Sequence, residues 1–109
     1  MPTDHFIPDA KFFIGQLVHH RKFHYRGVIY DVDPIYQGTD DWYEAVAKSK
    51  PPKEQPWYHV LVHGEQHSTY VAERHLEPDT RDAPIIHPLV AELCGQYQNG
   101  RYISKDRVQ

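Results

Sequence analysis

Apolar and polar positions follow one another in short runs broken by turn residues, the pattern of strands rather than of long helices. Gly15-Gln16-Leu17-Val18-His19-His20 predicts a first strand entered through a glycine, with Arg21 to Tyr25 as a polar connection. Arg26-Gly27-Val28-Ile29-Tyr30-Asp31-Val32 predicts a second strand, rich in β-branched and aromatic residues. It should stop at Asp33-Pro34, because proline has no N–H for the ladder. On a two-residue period Val28, Tyr30 and Val32 share one face. Thr39 to Lys48 predicts a helix: Thr39 or Asp40 can cap it, the early acids suit its positive end, and Trp42, Tyr43, Ala45 and Val46 fall at helical spacing. Lys50 to Pro56 is a proline-rich loop. Trp57 to His63 predicts a further strand, Gly64-Glu65 a tight turn, and Gln66 to Val71 the returning partner. Ala72 to Pro78 is a short closing element, strand or single 3₁₀ turn. Thr80 to Pro84 is a charged linker, and His87 to Gln98 holds a short helix from Pro88 to near Gly95.

Four or five short strands with a helical insertion predict a mainly β domain. The leading architecture is a small SH3-like barrel with a short helical insertion and a C-terminal tail or helix, since closure removes exposed strand edges. An open antiparallel sheet covered by the two helices is the alternative. Residues 1–10 carry Pro2 and Pro8 without periodicity and predict a flexible tail. Residues 11–104 then form one domain with its core in 11–78, and 109 residues leave little room for a second core.

The apolar fraction of 39% is low for a globular chain, and the mean hydropathy of −0.73 agrees. Eight Tyr, two Trp and four Phe compensate, because each ring buries a large area. Cys94 is the only cysteine, which rules out an intrachain disulfide and a zinc finger. Met1 to Ala10 has no basic patch followed by an apolar run, and no stretch approaches the ~20 apolar residues of a membrane span. These features predict a cytoplasmic protein without a membrane partner. A net charge of −3 argues against a purely electrostatic nucleic-acid binder. The charge is unevenly spread, however. Lys11, Arg21, Lys22 and Arg26 precede Tyr30, whereas Asp31, Asp33, Asp40, Asp41 and Glu44 follow it.

The candidate chemistry is sparse. His59, His63 and His67 are spaced by four, as are His20 and His24, but on strands His59 and His63 would lie about 13 Å apart at ~3.3 Å per residue. No carboxylate completes an evident ligand set, so no metal is expected. Cys94, Ser49, Ser68 and Ser104 lack any nucleophile-elbow setting. Asp31 and Asp33 share a strand face but end a strand at Pro34, a structural role more often than an acid–base pair. No glycine loop suits a phosphate. The chain reads as a non-enzymatic binder without cofactor. Its strongest binding feature is the basic stretch His20, Arg21, Lys22, His24, Tyr25 and Arg26, where cations could meet phosphates and rings could stack. A solvated loop is the plainer alternative for these residues. Trp57 and Tyr58, at a strand start, are read as core.

Four blocks carry a resemblance: Gly15-Gln16-x-Val18-x-His20; Tyr25-Arg26-Gly27-Val28-Ile29-x-Asp31-x-Asp33-Pro34; Pro56-Trp57-Tyr58-His59-Val60-Leu61-Val62; and Thr69-Tyr70-Val71-Ala72-Glu73-x-x-Leu76. In order and spacing they resemble the HspQ/YccV-like family, a small heat-shock-associated family described as hemimethylated-DNA-binding. The resemblance runs from Lys11 to Pro78. It implies an SH3-like barrel, no catalysis and no cofactor. Two roles come with it: binding hemimethylated DNA, and acting as an adaptor or specificity factor for the Lon protease. It assigns no residue-level site and leaves a homo-oligomer open. Within these blocks Gly27 is expected to let a strand bend or another backbone approach.

Overall fold

The computed structural model describes residues 9–103. In chain order these form strand β1 (Leu17–His20), β2 (Arg26–Asp33), helix α1 (Asp40–Val46), β3 (Trp57–Val62), β4 (Ser68–Ala72), a 3₁₀ turn (Glu73–His75), β5 (Leu76–Pro78), α2 (Val90–Leu93), β6 (Gln96–Gln98) and β7 (Arg101–Ile103). The expected tail lies outside the described residues except for Asp9 and Ala10, and Ala10 packs against the core.

Five strands make one antiparallel sheet in the order β4-β3-β2-β1-β5, and β6 pairs with β7 separately. The sheet is strongly curled. Laid flat, its edge strands would stand about 19 Å apart at ~4.8 Å per strand. Yet β4 and β5 are joined only by the 3₁₀ turn, which rises about 2 Å per residue. Among the described residues strand pairing stops at β4 and β5, so the sheet is not closed and the expected barrel is not confirmed. The mainly β class and the helical insertion stand as expected.

Both faces of the sheet are covered, which explains why β1 to β3 read as apolar runs rather than clean alternation. Val18, Ile29, Tyr58, Val60, Val71 and Leu76 fill one side with Phe12. Leu17, Val28 and Leu61 face the other, under Ile85, Cys94 and Tyr102. The core therefore continues past Pro78 into the C-terminal segment. One expectation on β2 fails. Its register against β3 shifts between Ile29 and Asp31, so Val32 joins Ile29 on one side while Tyr30 stays with Val28 on the other.

Gly27 shows why its position resists a side chain: a Cβ there would stand 2.4 Å from Val60 Cγ1 and 2.6 Å from the Leu61 carbonyl oxygen. Buried Glu73 ties the N-terminal segment to β3, accepting from the Tyr58 hydroxyl (2.6 Å) and from the Lys11 N–H (2.9 Å). Helix α1 is capped by Thr39, whose Oγ1 accepts from the Trp42 N–H at 3.1 Å. It packs Tyr43, with Ala47 just beyond its end, against Trp57 and Ala72. The short helix expected between Pro88 and Gly95 is present as Val90–Leu93, and the β6–β7 hairpin follows it.

Candidate nucleic-acid interface

The β1–β2 connection is a tight turn built around His20. Its backbone closes through His20 N–H to the Tyr25 carbonyl and His24 N–H to the His20 carbonyl, each 2.8 Å. His24 adopts φ 61°, a left-handed conformation that histidine visits uncommonly. The His20 ring then organises the loop. Its Nδ1 accepts from the Lys22 and Phe23 N–H groups at 3.1 and 3.0 Å. That geometry requires a bare Nδ1, so the proton of the neutral ring sits on Nε2. Phe23 stacks on His20 at 4.7 Å and His75 lies nearly parallel to it at 5.6 Å. Burial, then the neighbouring His75, His19, His24 and Lys22, lower the His20 pKa to about 4.

The six residues singled out in the sequence therefore separate. Arg21, Lys22 and His24 are exposed on the turn, together with Phe23, which is 67% exposed. Tyr25 is half-buried and hydrogen-bonded to Thr69 Oγ1 at 2.7 Å. His20 is buried and held neutral. Arg26 is buried too, donating to Asp79 Oδ2 at 2.8 Å and to the Ala83 carbonyl at 2.5 Å. Its place is thus structural, and its partner is Asp79 rather than an acid of β2.

Beside the turn opens a cleft of about 340 Å³. Its walls come from separated segments: Phe23 and Tyr25, then Trp42 and the end of α1, then Tyr70 and Val71 of β4, with His75 below. Among the described residues no carboxylate lines it, whereas Lys22 and Lys48 do. Arg74 reaches the same rim by donating to the Ser49 carbonyl at 2.8 Å. Arg21 is tied there through its N–H to the His75 carbonyl. Sequence reasoning missed Phe23, Lys48 and Arg74. An apolar ring between Lys22 and His24 was the available signal for Phe23; the other two depend on tertiary placement.

Three of the acids that follow Tyr30 have partners elsewhere. Asp33 accepts from the Tyr70 hydroxyl at 2.7 Å and from His59 Nε2 at 3.0 Å. Glu44 pairs with Lys50, and Asp40 with Lys53. Asp31, Asp33 and His59 do bring ligand atoms within 4.8 Å of one another, a grouping the sequence did not suggest. His63 and His67 lie apart from it: His63 Nδ1 accepts from the Ile86 N–H, and the His67 carbonyl accepts from His87. Cys94 is buried, and burial pushes its thiol up to about 11, far from a nucleophile's range.

Fold and site together define a small antiparallel β domain that presents a cationic, aromatic turn beside an open cleft. The family model described as "Hemimethylated DNA-binding protein YccV like" matches residues 10–101. The chain belongs to the YccV-like family, whose description is of DNA binding.

Proposed function

We propose that this protein binds hemimethylated DNA without catalysing a reaction on it, using the rim formed by Arg21, Lys22, Lys48 and Arg74 to contact phosphates. The carrying observation is the exposed Arg21–His24 turn, hydrogen-bonded to His20, beside a cleft that no carboxylate lines among the described residues. A preformed turn loses little entropy on binding. The family's description supplies the ligand class. Replacing Arg21, Lys22 and Lys48 together by Gln tests this by fluorescence anisotropy across a salt series. Three lost phosphate contacts should make the slope of log K against log salt shallower by about 2.7, with melting nearly unchanged. An unchanged slope and affinity would remove these residues from the interface.

The adaptor role implied by the resemblance is supported by a different surface. Ile86 is 71% exposed, with Leu89 and Leu93 also exposed nearby in sequence. Exposed large apolar side chains suit a protein partner such as the Lon protease. Ile86→Asp with Leu93→Asp should then abolish protease association and spare DNA binding; retained association would exclude this surface.

A further inference from the structure

We propose that the cleft beside the β1–β2 turn receives a single unstacked base of the bound DNA, with Phe23 as its stacking surface. This inference rests on the DNA-binding reading and deepens it. The walls are rings: Phe23, Tyr25, Trp42 and Tyr70 all face the space, and it has the volume of a small-molecule site. A duplex offers only base edges in its grooves, so these rings can meet a base face only if the base leaves the stack. Phe23 is placed for that role. One side of its ring is supported by His20, Lys22 Nζ lies 5.6 Å from its centroid, and most of the ring remains in solvent.

Charge selects the occupant. An apolar peptide side chain would suit the walls but would leave Lys22 and Lys48 on the rim without partners, with Arg21 and Arg74 beside them. A nucleotide satisfies both features, its base inside and its flanking phosphates on the rim. Ser49, Ser68 and Thr69 line the cleft with hydroxyls already bonded to His75, Tyr30 and Tyr25, and a base methyl would gain apolar area against Val46 and Val71.

The test compares three hemimethylated duplexes of one sequence, with the methylated base matched, mismatched or facing an abasic position. Weakening the pair removes part of the unstacking cost, so a protein that extrudes the base should bind the abasic and mismatched duplexes roughly tenfold more tightly than the matched one. Phe23→Ala should erase that preference without changing the salt slope, and Phe23→Trp should restore it. Phe23 is exposed, so both variants should fold, and circular dichroism checks this. Equal affinity for the three duplexes, or a preference that survives Phe23→Ala, overturns the base pocket while leaving phosphate binding standing. Absence of DNA binding at low salt overturns both.

Discussion

Lowering the pH from 7.5 to 5 should remove about 2 kcal/mol of folding stability through His20 alone. The folded protein keeps this ring neutral down to about 4, against 6.5 for an unperturbed histidine. Between those values the unfolded chain binds a proton that the folded chain refuses. Stability therefore stands in full above pH 6.5 and is lost as pH falls toward 4. The whole shift is worth about 3 kcal/mol at roughly 1.4 kcal/mol per pKa unit, and most of it is spent by pH 5. The cause is geometric as well as electrostatic. A proton on Nδ1 would meet the two N–H groups that now donate to it, with His75 stacked alongside and His19, His24 and Lys22 adding positive charge.

Urea denaturation at pH 7.5, 6 and 5 measures the effect, with His20→Asn as the comparison. The Asn Oδ1 can accept the same two bonds but does not titrate. The variant starts less stable, yet its loss between pH 7.5 and 5 should be about 2 kcal/mol smaller than the parent's. His75, whose pKa is also lowered by burial, remains in both proteins and contributes to both curves. Equal losses in parent and variant would refute the account of how this turn is held.

Two further substitutions probe the fold on which the interface sits. Arg26→Gln strands the Asp79 carboxylate in a site where both side chains are under a tenth exposed, and should cost about 3–5 kcal/mol in a urea titration; a loss below about 1 kcal/mol would mean that the pair is solvated. Gly27→Ala drives a methyl into Val60 and the Leu61 carbonyl and should cost about 1–3 kcal/mol or more, visible as a lowered Tm. An unchanged Tm would show that β2 and β3 can separate freely at this point.

Elements whose signals are local were legible in the sequence. Thr39 caps the helix that its position predicts, Pro34 follows directly on the end of β2, and Gly27 sits where another backbone comes close. The two-residue period failed at Val32 because a bulge is a property of the pair of strands and leaves no mark in one of them. The β6–β7 hairpin went unread although Asn99-Gly100 is a strong hairpin signal, and both residues adopt the positive φ that a tight hairpin turn requires. Its strands are only three residues each, too short for a period to show. The proposed interface was half legible. Composition identified the basic turn but could not sort it: Arg26 is withdrawn by an acid 53 positions away, and His20 by bonds to its own loop.

The net charge of −3 argues against a purely electrostatic DNA binder, but the proposed rim is a local feature that the chain total does not describe. Many of the acids already have partners. Asp79 holds Arg26, Glu73 holds Tyr58, Asp33 holds Tyr70 and His59, and Glu44 and Asp40 take Lys50 and Lys53. Among the described residues Arg21, Lys22 and Lys48 make no ion pair, and Lys22 and Lys48 line one cleft. At physiological salt the screening length is about 8 Å, so a phosphate on that rim feels the rim and little of the far surface. At the proposed rim the charged side chains lining the cleft, Lys22 and Lys48, are cations on a chain that is acidic overall. What the chain total governs instead is the approach from a distance, where an acidic surface slows association and leaves affinity to the local contacts.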